Sequence, residues 1–172
     1  MAYPARPIPT QTSRSHPLWS FVTLVGGVQL LGLLGAAFPP GSWYTRLAKP
    51  AWTPPNEVFA PVWIALYLLI GLSLWLVWRQ EPIGPGQTRQ RRTALTWQGI
   101  HLLLNALWTP LFFGLHLVVP ALIDLSLLWL AIVAGLVFTT RVHRLAGLLL
   151  LPYLAWISLA WSLNAGIWWL NR

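Results

Sequence analysis

The feature that most constrains this chain is a series of five long apolar runs separated by short polar segments. The single acid within the runs is Asp124. A helix needs about 20 apolar residues to cross the hydrocarbon core of a bilayer, and a backbone in lipid must bond its own polar groups. The sequence therefore predicts an all-α integral membrane protein, a bundle of five transmembrane helices forming one domain at 18–172. The predicted helices cover residues 18–38, 61–78, 94–115, 118–140 and 146–170.

Charge and motif content exclude most soluble functions. Only 8% of the residues are charged, which is too few to cover the surface of a soluble globular protein. The net charge of +8 does not indicate nucleic-acid binding, because the basic residues lie between the apolar runs rather than along one face. There is no cysteine, the four histidines are far apart, and no nucleotide-binding or hydrolase motif occurs. We therefore expect no metal site, no covalent cofactor and no acid–base catalytic residue.

The segments outside the runs predict the topology. Residues 1–17 are expected to be a disordered tail, and a signal peptide cleaved after Ala37 is disfavoured because the first run is too long. Residues 39–60, here called the lid loop, form the longest connection. Eight basic residues on one side against three on the other place the amino terminus inside and the lid loop and carboxyl terminus outside. The two sets are Arg6, Arg14, Arg79, Arg89, Arg91, Arg92, Arg141 and Arg144, against Arg46, Lys49 and Arg172.

Helical spacing gathers aromatic and amide side chains into three stripes. Polar groups are costly in hydrocarbon, so these stripes are expected to face the bundle interior. They predict a pocket rather than an aliphatic core, opening beneath the lid loop. The stripes are Trp63, Tyr67, Gly71, Leu74 and Trp78; His101, Asn105, Trp108 and Phe112; and Tyr153, Trp156, Ala160 and Asn164.

Several of these residues have a second interpretation that the sequence leaves open. Asn105 and Asn164 are also typical of hydrogen bonds that tie membrane helices together. Asp124 is either functional or paired with a neighbouring helix. Many of the 13 tryptophans, such as Trp19, suit interfacial anchors. The spacings Gly32–Ala36 and Ala131–Gly135 match a common helix-contact pattern.

Six motifs, in order along residues 20–171, resemble those of one membrane protein family. The first is W-Y-x-x-L-x-K-P-x-W-x-P-P at 43–55, followed by P-V-W at 61–63. The third apolar run carries L-N-x-x-W-x-P-x-F-F-G at 104–114, and the fourth carries A-L-x-D at 121–124. The fifth carries P-Y-L-A-W at 152–156 and L-N at 163–164. This pattern is similar to that of the TspO family of tryptophan-rich sensory and translocator proteins.

The resemblance implies a five-helix bundle, usually dimeric, that binds a tetrapyrrole such as protoporphyrin IX or haem. It implies ligand contacts from Trp63, Asn105, Trp156 and Ala160. Glutamine is frequent in the family where this chain has His101, and an axial role for His101 toward haem is an open alternative to simple packing. Cholesterol is disfavoured as a ligand, because Ala165 replaces the tyrosine of the animal cholesterol motif.

Three functions follow from the resemblance and the stripes. The first is a membrane sensor or transporter that regulates porphyrin levels, the second is light-driven porphyrin degradation by Trp63 and Trp156, and the third is a structural partner of other membrane proteins. Whether the chain is an enzyme is left open. The lid-loop cations Arg46 and Lys49 are the expected partners of the porphyrin propionates, with Trp52 beside them. The predicted ligand set is Trp63, Tyr67, His101, Asn105, Trp108, Trp156, Ala160 and Asn164.

Overall fold

A computed structural model describes residues 17–172, apart from the side chains of Pro17 and Leu34. Every regular element in this range is helical, which confirms the predicted all-α class. The predicted tail, except for its last residue, lies outside the described residues, as do Arg6 and Arg14. The elements are α1 Pro17–Ala36, α2 Ser42–Arg46, α3 Asn56–Trp78, α4 Pro85–Thr109, a π-helical turn Pro110–Gly114, α5 Val118–Val142, α6 Arg144–Leu148 and α7 Leu151–Leu170.

Three helical segments in the described range are long and apolar enough to cross a membrane. They are α3, α5 and the stretch Arg144–Leu170 that combines α6 with α7. The apolar part of α1, Leu18–Leu33, is shorter. Polar side chains occupy α4, although those at Gln98, His101 and Asn105 are buried within the bundle. Length and composition alone therefore identify three spans, fewer than the five that the sequence predicts.

The helices pack as neighbours along the chain. α4 lies against α5, α1 against α3, and α5 against α7. The interior holds Ile70 of α3, Leu128 and Ile132 of α5, and Tyr153 of α7, each with essentially no exposed surface. Trp63 and Tyr67 of the α3 stripe face α7 and α4. The rest of that stripe does not, because Gly71 packs on Val25 of α1 and Trp78 is 47% exposed.

Two helices begin earlier than the apolar runs predict. α3 begins at Asn56, so Pro61 lies inside the helix rather than in its first turn, as the sequence analysis assumed. α4 begins at Pro85 instead of residue 94, directly after Gly84, whose φ of 87° is a conformation that favours glycine. Both extensions carry polar residues, which an apolar window does not detect.

The predicted third and fifth helices are interrupted. The third ends in a π-helical turn, where the Leu115 amide donates to the Pro110 carbonyl at 2.8 Å. The fifth is divided into α6 and α7. His143 caps α6, since its Nδ1 accepts from the Ala146 amide at 3.2 Å, and Pro152 fits the first turn of α7.

Candidate ligand site between α3, α4 and α7

Five aromatic rings meet between α3 and α7, and they are called here the aromatic cluster: Phe59, Trp63, Tyr67, Tyr153 and Trp156. Trp63 is central, stacking on Tyr67 with ring centroids 5.2 Å apart. It meets Tyr153 at 6.4 Å and Trp156 at 6.5 Å in edge-to-face contacts, and Phe59 meets Trp156 at 5.5 Å. The α3 members are four residues apart and therefore share one helix face. The rings contact one another through both faces and edges, which are the two ways in which aromatic groups also contact a flat aromatic ligand.

Asn105 connects this cluster to α4. The Tyr67 hydroxyl donates to Asn105 Oδ1 at 2.6 Å, and the Asn105 side chain is 7% exposed. This hydrogen bond orients the amide and holds the Tyr67 ring under Trp63. Asn105 thus links two helices and also lies in the predicted ligand set, so the two interpretations are compatible.

His101 lies deeper than the cluster. Its ring centroid is 5.5 Å from that of Tyr153, and a Cβ at Gly135 would be 3.4 Å from its Cδ2. Both ring nitrogens of His101 and the Tyr153 hydroxyl are buried without a hydrogen-bond partner among the described residues. An unpaired buried polar group costs about 1–3 kcal/mol. A bound molecule or water that supplied partners would therefore be stabilised here.

Trp108, Ala160 and Asn164 extend the site toward the lid loop. Trp108 stacks on Phe112 at 5.3 Å and also packs against the core beside the aromatic cluster. Ala160 packs against the same core. Asn164 donates from Nδ2 to the Val118 carbonyl at 2.9 Å, which ties α7 to the start of α5. Its contact favours the helix-linking interpretation, although its Oδ1 has no partner in the described range.

The lid loop is bound to α7 at three points. The Ala48 amide donates to Asn171 Oδ1 at 3.0 Å, and Asn171 Nδ2 returns a bond to the Ala48 carbonyl at 2.9 Å. Trp52 Nε1 donates to Ser162 Oγ at 3.3 Å. Pro50 packs so closely on Gly166 that a side chain there would collide with its ring. The loop therefore lies over the carboxyl-terminal half of α7.

The first part of the lid loop packs on the connection between α4 and α5. Trp43 stacks on His116 at 4.3 Å, and Tyr44 meets Phe113 edge-on at 5.3 Å. Burial raises the pKa of Tyr44 above its ordinary value of 10.0. Its phenol consequently stays neutral at physiological pH.

The two lid-loop cations differ in their contacts. Lys49 Nζ donates to the Leu47 carbonyl at 3.3 Å and lies 4.6 Å from the centre of the Tyr44 ring. Arg46 is exposed and has no hydrogen bond, ion pair or ring contact with any described residue. Of the two predicted propionate partners, Arg46 is therefore the free one, whereas Lys49 already stabilises the loop.

Comparison with known proteins decides the family. A family model described as the TspO/MBR family matches residues 21–170. The chain belongs to the TspO/MBR family. It is 38% identical to protein CrtK of Rhodobacter capsulatus over 81% of this chain and 85% of that protein. It is 37% identical to the tryptophan-rich protein TspO of Chlorobaculum tepidum, over 86% and 92% of the two chains. It is 39% identical to the translocator protein of Homo sapiens, over 78% and 80%.

Family membership and the apolar helices make this TspO/MBR chain an integral membrane protein. Its structure adds residues that the sequence prediction left out of the ligand set. Tyr153 was on a stripe but was not selected, and Phe59 lies four residues before Trp63, in a stretch predicted to be loop. Gly32 of α1 lies directly against the Tyr67 ring, leaving no room for a Cβ. The i, i+4 spacing indicates Phe59, and the Gly32–Ala36 spacing indicates a helix contact at Gly32 without identifying Tyr67 as its partner.

Asp124 is the buried acid of α5. It is 6% exposed, and its Oδ2 has no hydrogen-bond partner in the described part of the chain. Asp124 Oδ2 is therefore not paired with a described residue of a neighbouring helix, which was one of the two interpretations of the sequence.

Proposed function

We propose that this protein binds a tetrapyrrole, protoporphyrin IX or haem, and acts as a membrane sensor or transporter that regulates porphyrin levels. The observation that carries the proposal is the contact of Trp63 with Tyr67, Tyr153 and Trp156. Rings in face and edge orientations suit a flat macrocycle, which would stack on Trp63 and Trp156. The relatives' names, tryptophan-rich and translocator protein, are consistent with this role.

The chemistry of the surrounding groups also fits such a ligand. Tetrapyrroles have pyrrole nitrogens and carboxylate side chains. The Tyr153 hydroxyl within the aromatic cluster and the ring nitrogens of His101 beside it have no hydrogen-bond partner among the described residues. Arg46 is a free cation in the lid loop for a propionate. Trp52 and Asn171 would keep the loop closed over the bound macrocycle.

The proposal includes five membrane-spanning helices, α1, α3, α4, α5 and α7, with the amino terminus inside. Each has 20 to 25 residues. Within the apolar part of α4, the polar side chains of Gln98, His101 and Asn105 are buried in the bundle, so they do not meet lipid. The arginines before and within the first turns of α4 favour the cytoplasmic side for that end.

A porphyrin titration followed by tryptophan quenching tests the site. Trp63→Phe and Asn105→Ala should each weaken binding by about 1–2 kcal/mol, or roughly five- to thirtyfold in Kd, as expected for one ring contact or hydrogen bond. Ala160→Thr should weaken binding by obstruction, because added volume in a packed site is costly. Trp19→Phe is the matched control, since Trp19 is 72% exposed at the start of α1. Normal affinity in all three site variants would place the ligand elsewhere or favour a structural role.

Light-driven oxidation of bound porphyrin, with dissolved dioxygen as the oxidant, is a second candidate, favoured by the direct contact of Trp63 and Trp156. Adjacent indoles can exchange an electron with an excited ligand lying on them. Illumination of the porphyrin complex should then yield a product that is lost in the double variant Trp63→Phe, Trp156→Phe. Unchanged product formation in this variant would eliminate the two tryptophans as participants.

A further inference from the structure

A second candidate site lies at the beginning of α4, at the opposite end of that helix from the lid loop. A cavity of about 580 Å³ opens there, and its lining includes Thr88, Arg89, Arg92, Thr93 and Trp97. These residues repeat every three to four positions and so form one face of α4. None of them belongs to the aromatic cluster, and the cavity is independent of the proposed porphyrin site.

The cavity has two arginines whose guanidinium groups are free. Arg89 and Arg92 are exposed, and neither has a hydrogen bond, ion pair or ring contact with the described residues. Arg91 behaves differently, because it donates to the carbonyls of Val77 at 3.2 Å and Trp78 at 2.5 Å. Arg91 therefore joins α4 to α3, whereas its neighbours are available to a ligand.

None of the described residues that line the cavity is acidic. Among the described residues, Glu57 lies at the lid-loop end, Asp124 is buried within α5, and Glu81 lies in the connection between α3 and α4. The positive charge of Arg89 and Arg92 is therefore not compensated from within the lining. The cavity is complementary to an anion.

The inner side of the cavity is aromatic and continues into an apolar surface. Trp97 stacks nearly parallel to Phe138 of α5, with centroids 6.4 Å apart, and the Arg141 guanidinium lies 5.3 Å from the Phe138 ring centre. Below Trp97 on α4, Ile100 is 37% exposed and Leu103 is 63% exposed. Along this face of α4, cations and hydroxyls come first, then an indole, and then aliphatic side chains. This is the order expected between the headgroup region and the hydrocarbon of a membrane.

We propose that this cavity binds the headgroup of an anionic phospholipid. Arg89 and Arg92 hold the phosphate through charge-assisted hydrogen bonds, because the guanidinium fork matches phosphate oxygens. Thr88 donates its hydroxyl to the Gly84 carbonyl at 3.0 Å and keeps its lone pairs for a headgroup hydroxyl. The acyl chains run along Ile100 and Leu103, which a soluble phosphate compound would leave uncovered. Residues 1–16 are a poor occupant, since they carry Arg6 and Arg14 and no acid.

Native mass spectrometry of the full-length protein in a neutral detergent tests this site. The protein is titrated with phosphatidylglycerol, with phosphatidylcholine of the same acyl chains, and with glycerol phosphate. Wild type should retain phosphatidylglycerol about tenfold more tightly than phosphatidylcholine, and Arg89→Gln with Arg92→Gln should remove that preference. The matched control, Arg79→Gln with Arg144→Gln, removes the same charge outside the cavity and should change the preference less than about twofold.

Each contrary result identifies what is wrong. If the variant with Arg89→Gln and Arg92→Gln still prefers phosphatidylglycerol as strongly as wild type, the proposed site is wrong. If the control loses as much of that preference, general charge attraction is responsible and the site is also wrong. Glycerol phosphate bound as tightly as the lipid overturns the lipid assignment in favour of a soluble phosphate ligand. Helical circular dichroism and retained phosphatidylcholine binding show that the variants are folded, so a loss of preference in a folded variant supports the site.

Discussion

At the scale of single residues, glycines set how closely α1 and α3 approach. A Cβ on Gly71 would lie 2.9 Å from the Val25 Cα, which is backbone and cannot rotate away. Gly71→Ala should therefore separate the two helices and destabilise the fold by about 1–3 kcal/mol, the usual cost of overpacking. The measurement is the thermal midpoint in detergent.

Gly26→Ala is the control for that experiment. A Cβ there would meet nothing within 4 Å, and alanine favours the helix by up to about 1 kcal/mol relative to glycine. Gly26→Ala should leave the midpoint unchanged or raise it. If Gly71→Ala were equally neutral, the close packing of α1 on α3 would be incorrect.

Single side chains also mark the limit of what the sequence predicts about the site. The sequence alone indicates an inward aromatic face, from the spacing of Trp63 and Tyr67 on one helix and of Tyr153 and Trp156 on another. Residue spacing does not predict the hydrogen bond from Tyr67 to Asn105, nor the one from Lys49 to the Leu47 carbonyl. They depend on how helices rotate and how an irregular loop folds, which no periodic pattern encodes.

At the scale of elements, two hydrogen bonds join the lid loop to Asn171, the residue directly after α7. Asn171→Ala removes both hydrogen bonds to Ala48, so the loop should open more often. Amide hydrogen exchange at Ala48 and its neighbours should become about tenfold faster, as expected for the loss of about 1.4 kcal/mol. Asn56→Ala is the control, because Asn56 is exposed at the start of α3. Unchanged exchange in Asn171→Ala would show that Trp52 and Pro50 hold the loop by themselves.

The two lid-loop cations should differ in their effect on porphyrin binding. Arg46→Gln should weaken a free-acid porphyrin about two- to fivefold and leave its ester unaffected, because an exposed charge pair contributes up to about 1 kcal/mol. Lys49→Gln should weaken both ligands alike, since Lys49 Nζ stabilises the loop through the Leu47 carbonyl. Titrations of each variant with both porphyrins separate the roles. An ester-independent loss in Arg46→Gln would contradict a propionate contact.

Element boundaries were predictable only where apolar character ends with the helix. α5 ends at Val142, close to the predicted residue 140. α4 extends nine residues upstream of its apolar run, from 94 back to 85, because helical hydrogen bonds persist in the polar turns outside the hydrocarbon. The π-helical turn at Pro110–Gly114 was not predicted, since Pro110 alone does not specify how the chain accommodates its missing N–H.

At the scale of the whole molecule, a hydropathy criterion undercounts helices whose polar side chains face inward. Gln98 Nε2 donates to Thr139 Oγ1 at 3.2 Å, and Ser73 Oγ donates to the Ala146 carbonyl at 2.8 Å. These buried bonds join α3, α4, α5 and α6 at the end of the bundle farthest from the lid loop. Gln98 lowers the mean hydropathy of α4 although it is buried, as do His101 and Asn105, and α4 is therefore not recognised as a span. α1 is not recognised because its apolar part, Leu18–Leu33, is short.

Cysteine labelling tests the proposed spans that follow α1, because the chain contains no native cysteine. Ser42 and Gln87 are exposed and are separated along the chain by α3 alone, so they should lie on opposite sides of the membrane. With the amino terminus inside, a membrane-impermeant maleimide should label Ser42→Cys in intact cells and Gln87→Cys only after permeabilisation. Arg172→Cys should behave like Ser42→Cys, since the neighbouring Asn171 is bonded to Ala48 in the lid loop. Labelling of Ser42→Cys and Gln87→Cys from the same side would refute the span at α3. If Gln87→Cys were instead labelled in intact cells and Ser42→Cys only after permeabilisation, the predicted orientation would be wrong but the number of spans would stand.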